Sequence, residues 1–122
     1  MKKTKREFIL STLLPFKKDP STCGYENSGC VYLASNGNKC AVGKHMKEGA
    51  WQKECSATYG FLLTKYKKED FLTDEALEQD LTYEEWETMQ HYHDRLAASL
   101  DTNIPLELLE DATGLKFPEL AT

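Results

Sequence analysis

His93 and Asp94 stand side by side, and a base next to a carboxylate is the pairing that general acid–base chemistry uses. Neighbouring residues on a helix project about 100° apart, so the two are not expected to act on one atom. A small hydrolase with His93 as general base, assisted by Asp94 or Cys40, is therefore the least favoured reading. His93 falls on an apolar stripe, where a histidine either packs with its ring N–H on a backbone carbonyl or lines a pocket and contacts a ligand. His91 lies two positions earlier on another face, so the pattern lacks the i, i+4 spacing of a helical metal pair. Lys44 and His45 follow Gly43 directly. Two side chains that carry or can carry positive charge, at a strand exit, could grip a phosphate or carboxylate. The single glycine is fewer than a phosphate loop needs.

Cys23, Cys30, Cys40 and Cys55 are too widely spaced for paired zinc ligands, which one tight turn must aim at the ion. No residue is placed by sequence to deprotonate a catalytic thiol. All four are expected to be reduced structural cysteines, and no metal or cofactor is expected.

The element that should position Tyr32, Lys44 and His45 is the stretch Cys30 to Gly43. Asn36-Gly37 sits between two runs of strand formers and suits a two-residue type I′ hairpin turn. That register puts Val31, Leu33, Cys40 and Val42 on one face and Cys30, Tyr32, Ala34 and Ala41 on the other. A three-residue loop would shift the register by one and bring Cys30 and Cys40 to the same side.

His93 and Asp94 should sit on a helix opening at Thr82, where Thr82-Tyr83-Glu84-Glu85 fits a capping box. Trp86, Met89, His93, Leu96 and Leu100 then form its apolar stripe. Two more helices are expected: Thr4 to Leu14, ended by Pro15, and one starting near Pro105 and capped by Gly114. Phe61 to Tyr66 reads as a short strand or loop in preference to a helix. The fold class expected is α+β over a single domain, 1–122, with an antiparallel hairpin or small sheet packed on two to three helices. Its Val31, Leu33, Cys40, Val42 face would meet the Trp86 to Leu100 helix.

A chain of 122 residues, 40% hydrophobic and 29% charged, can close one modest core. Its net charge of −5 is unevenly spread. Residues 1 to 20 carry six bases against Glu7 and Asp19, whereas residues 61 to 122 carry fifteen acids against five bases. The basic start is expected to lie near the acidic half. Direct nucleic-acid binding is disfavoured, because phosphate would meet the acidic surface and no basic stripe with interleaved aromatics continues past Lys18. The opening residues lack a small-x-small cleavage site, and no run approaches a membrane span, so a cytoplasmic protein with no membrane partner is expected.

Cys30-x-Tyr32, Gly37, Cys40-Ala41-Val42-Gly43 and the later Met89-Gln90-His91-Tyr92-His93-Asp94 together resemble a group of small uncharacterised bacteriophage and prophage proteins. The resemblance implies a phage accessory protein made in the cytoplasm of the infected bacterial host. It carries no established catalytic residue. The function expected from it is non-catalytic counter-defence: sequestration of a host component, such as a nucleotide-derived defence signal. Tyr32, Lys44, His45, His93 and Asp94 would contact that small anionic ligand, in a pocket formed within one chain or across a homo-oligomer. The alternative is an acidic inhibitor that binds a host protein, an enzyme, through its C-terminal half.

Overall fold

The computed structural model describes residues 3–26, 29–48 and 59–121. Six α-helices carry most of these: α1 (Lys5–Lys18), α2 (Tyr59–Lys65), α3 (Lys68–Phe71), α4 (Asp74–Gln79), α5 (Tyr83–Ala97) and α6 (Asn103–Thr113). β structure among the described residues is one antiparallel pair, β1 (Tyr25–Glu26) with β2 (Gly29–Cys30), and two isolated bridges. The fold is thus helical, and the expected α+β arrangement of a hairpin sheet on helices is not what the chain forms.

The helices follow their local signals. At α5 the Thr82 hydroxyl accepts from the Glu85 N–H at 3.1 Å, and Glu85 Oε1 accepts from the Thr82 N–H at 2.8 Å. Thr4 and Glu7 build the same box at α1. Gly114 ends α6 at φ 71°, its N–H bonded to the Glu110 carbonyl. Pro15 does not end α1. The helix runs on to Lys18 with Pro15 exposed, and Phe16, one residue further, is buried in the core with Phe8, Ile9, Thr12 and Leu13. Burial of that aromatic ring outweighs the lost backbone bond. Tyr59–Lys65 is a helix where a short strand or loop was expected over Phe61 to Tyr66, consistent with its shortage of β-branched residues.

The stretch from Cys30 to Gly43 departs most from expectation. Gly37 takes φ 91° while Asn36 keeps negative φ, so the turn is not type I′. The Gly37 N–H donates to Ala34 O at 2.9 Å and the Ala34 N–H to Asn38 O at 2.7 Å, which closes a three-residue loop with glycine in the left-handed position. The register therefore slips by one, so Tyr32 and Ala34 are buried while Leu33 is exposed, and Cys40, Ala41 and Val42 are all buried. The ladder then stops. Lys39 bridges in parallel to Cys23, and Gly43–His45 coils into a 3-10 turn. Two glycines permit the crossings: a Cβ on Gly24 would lie 2.5 Å from Cys40 N, and one on Gly43 would collide with the Tyr32 carbonyl.

α5 packs most extensively on α6 and also on α1, and α1 in turn packs on the 3-10 turn Pro118–Leu120. Trp86, Met89, Tyr92 and His93 of α5 enter one core with Phe8, Phe16, Leu109, Phe117 and Leu120. The basic start meets the acidic half as the charge distribution implied. Lys3 pairs with Glu75, Lys5 with Glu85 at 2.8 Å and Arg6 with Glu119 at 2.5 Å.

Candidate functional site

Three of the five residues singled out by sequence, Lys44, His45 and His93, meet on α1. Lys44 and His45 leave the 3-10 turn toward that helix: Lys44 Nζ donates to Thr12 O at 2.9 Å and lies 3.9 Å above the Phe16 ring. His45 Nε2 is 2.7 Å from Thr12 Oγ1, and its ring stacks obliquely on Phe8 at 4.4 Å. Thr12 Oγ1 also donates to Phe8 O, which leaves it to accept from His45 and places the imidazole proton on Nε2. On the far side, Phe16 meets the His93 ring edge-on at 4.7 Å. Tyr32 joins through its backbone, on which Gly43 rests, and its ring is buried.

His93 and Asp94 do interact. Asp94 Oδ1 lies 2.8 Å from His93 Nδ1 and 2.7 Å from Gln90 Nε2, and Gln90 Oε1 accepts from the Val42 N–H at 3.1 Å. The 100° separation on the helix does not prevent side chains of adjacent residues from meeting when both turn along the axis. The Asp94 carboxylate accepts a hydrogen bond from the His93 Nδ1–H. Nε2 is buried without a hydrogen-bond partner.

A carboxylate behind an imidazole is an arrangement general bases use, but here the ring is enclosed. His93 is 0% exposed and Tyr32 2%. Burial pushes the Cys23 thiol up to about 12, Asp94 adding to the effect, so no thiolate is available beside it. Burial also lowers the His45 pKa to about 4, with Lys44 and Lys3 acting in the same direction, and it lowers that of Lys44 itself. Neutral His45 is a poor anion grip. Among the described residues, no group of three His, Cys, Asp or Glu side chains could hold a metal ion. Cys55 lies outside the described residues, as do the side-chain surroundings of Cys30.

The open surface lies elsewhere. Between α5 and α6 a groove of about 370 Å³ is lined by Tyr83, Glu84, Glu87, Thr88, Leu108, Asp111 and Ala112. Tyr83 is 49% and Leu108 46% exposed, large for apolar-bodied side chains on one concave face. The Tyr83 ring is not loose: it rests over Gly60 of α2, whose absent Cβ would approach it to 2.9 Å, and lies 6.3 Å from Tyr59. Glu84 and Glu87 lie off the apolar stripe of α5, and Leu108 of α6 lies beside them. The i, i+4 pair Ile104 and Leu108, both exposed on α6, was the signal for this groove that the sequence offered.

Comparison with known proteins adds no relative, since no family model, no curated protein and no solved structure matches the chain. No helix among the described residues is long and apolar enough to cross a membrane.

Proposed function

We propose that this chain is a non-catalytic accessory protein that acts by docking a protein partner in the α5–α6 groove. The observation that carries this reading is the coincidence, on one concave face, of half-exposed Tyr83 and Leu108 with Glu84, Glu87 and Asp111, and no basic residue in the lining. A partner segment that alternates apolar side chains with Lys or Arg satisfies both features: apolar contact supplies affinity, and the acidic rim supplies orientation and association rate. The resemblance of the Cys30–Gly43 and Met89–Asp94 motifs to phage proteins supports a host protein as that partner, made inert by being bound. This is the acidic-inhibitor reading, with the surface now specified. Capture of a nucleotide-like ligand by Tyr32, Lys44, His45, His93 and Asp94 has less support, because Tyr32 and His93 are enclosed and His45 is neutral.

The test uses the wild-type protein, Leu108→Glu and Glu87→Lys, each presented to a bacterial lysate and to a synthetic Leu/Lys amphipathic peptide. The reading expects both variants to melt like the wild type, yet to lose a lysate protein that the wild type retains and to bind the peptide at least tenfold more weakly. An intact small molecule released on denaturing wild type and Leu108→Glu alike, but lost from Lys44→Ala, would overturn it in favour of ligand capture.

A further inference from the structure

A second concave patch lies on the outer face of α1, about 300 Å³ in volume, lined by Leu10, Ser11, Leu14, Pro15 and Lys18. Its chemistry is the complement of the α5–α6 groove. Leu10 and Leu14 pack only partly on the core, Pro15 and Lys18 are exposed, and the lining contains a base and no acid. The nearest acids are held in local hydrogen bonds: Glu7, one turn before Leu10 and Ser11 on the same side of α1, accepts from the Thr4 N–H, and Asp19 accepts from the Ser21 N–H and hydroxyl. The groove offers the reverse, Tyr83 and Leu108 rimmed by Glu84, Glu87 and Asp111. At 14 residues α1 is about 21 Å long, enough to lie along such a cleft.

We infer that the outer face of α1 from one copy of this chain docks in the α5–α6 groove of a second copy. The inference rests on the reading of that groove as a protein-docking surface and names its occupant when no partner is present. Leu10 and Leu14 meet Tyr83 and Leu108, while Lys18 faces the acidic rim. The two surfaces differ, so the contact is head-to-tail, and it leaves one free groove and one free α1 face at its ends. Self-association then competes with partner binding for the same groove. A partner must displace a neighbouring copy to enter, so capture is favoured where the protein is dilute.

Sedimentation velocity of the full chain at low salt tests this, using two variants that each spoil one surface at exposed positions. Leu108→Glu disables the groove, and Pro15→Glu with Lys18→Glu disables the α1 face. The wild type is expected to assemble reversibly with rising concentration, and less as salt is added. Each variant alone is expected to sediment as a folded monomer, whereas their equimolar mixture forms a one-to-one dimer through the intact pair of surfaces. A wild type that stays monomeric up to ~0.5 mM, well above the micromolar range of ordinary specific contacts, overturns the inference. So does assembly unchanged in either variant, or a mixture that remains monomeric. A monomeric wild type that still binds the Leu/Lys peptide would remove self-docking and leave the proposed function standing; loss of both would remove both.

Discussion

His93 is buried where α5 meets α1, and its ring hydrogen bonds stay within α5. It touches Phe16 of α1, it is held by Asp94, and Gln90 beside it carries the Val42 N–H. His93→Ala is therefore expected to lower stability by about 2–3 kcal/mol in chemical denaturation, with peptide binding in the remaining folded protein unchanged. His45 makes a different prediction, in pH. Above its ordinary pKa of 6.5 the ring is neutral whether the chain is folded or not. Between 6.5 and about 4 only the unfolded chain takes up the proton, so stability falls as pH drops, and below that window no more is lost. A loss on the order of 3 kcal/mol across the window is expected, and His45→Gln should flatten that part of the curve. Cys23 and Cys40 are both buried, so thiol reagents mapped by peptide should leave them unmodified until the protein unfolds. Of the four cysteines expected to be structural, Cys23 and Cys40 are buried and unpaired with one another. Residue types alone could not show that Lys44 and His45 turn inward, because that depends on Thr12 being 32 positions away in sequence yet adjacent in space.

Elements with a local stop and start were readable: the Thr82 capping box, the Gly114 cap and the buried run Trp86, Met89, His93 all appear where periodicity puts them. Thr82→Ala should cost about 1 kcal/mol, seen as a lowered melting temperature, since Glu85 N–H loses its acceptor. Pro15 and the Cys30–Gly43 stretch were misread for one reason: each local preference was overruled by a distant contact. Strand formers around Asn36-Gly37 fit a hairpin, but a one-residue change in loop length buries Tyr32 and Ala34 and exposes Leu33. The glycines recorded the outcome more faithfully than the β-branched residues did. Gly43→Ala should destabilise by on the order of 3 kcal/mol, because its Cβ meets the Tyr32 backbone, which cannot give way as a side-chain tip would. Gly37→Ala is expected to cost less, since no atom lies near and only the left-handed backbone conformation resists it.

At the scale of the whole molecule, the charge asymmetry was the most informative global feature of the sequence. It anticipated that the N-terminal bases reach the C-terminal half, although not which acids they meet. The Lys5–Glu85 pair is the consequential one, for Glu85 is 1% exposed and also serves the α5 cap. Lys5→Ala leaves a buried carboxylate without its cation and should cost about 2 kcal/mol. Glu85→Gln keeps the capping box, so the double variant is expected to be more stable than Lys5→Ala alone, as urea midpoints would show. The packing of α1 on the Phe117–Leu120 turn has a further effect, in the order of synthesis. Phe8 and Phe117 are 109 positions apart (117 − 8) and share one core. At a translation rate of ~5–20 residues per second, the apolar side of the first helix waits roughly 5–20 s for the polypeptide that will cover it. Chaperones and proteases have that interval in which to act on the nascent protein, and any pause of the ribosome over the intervening codons lengthens it.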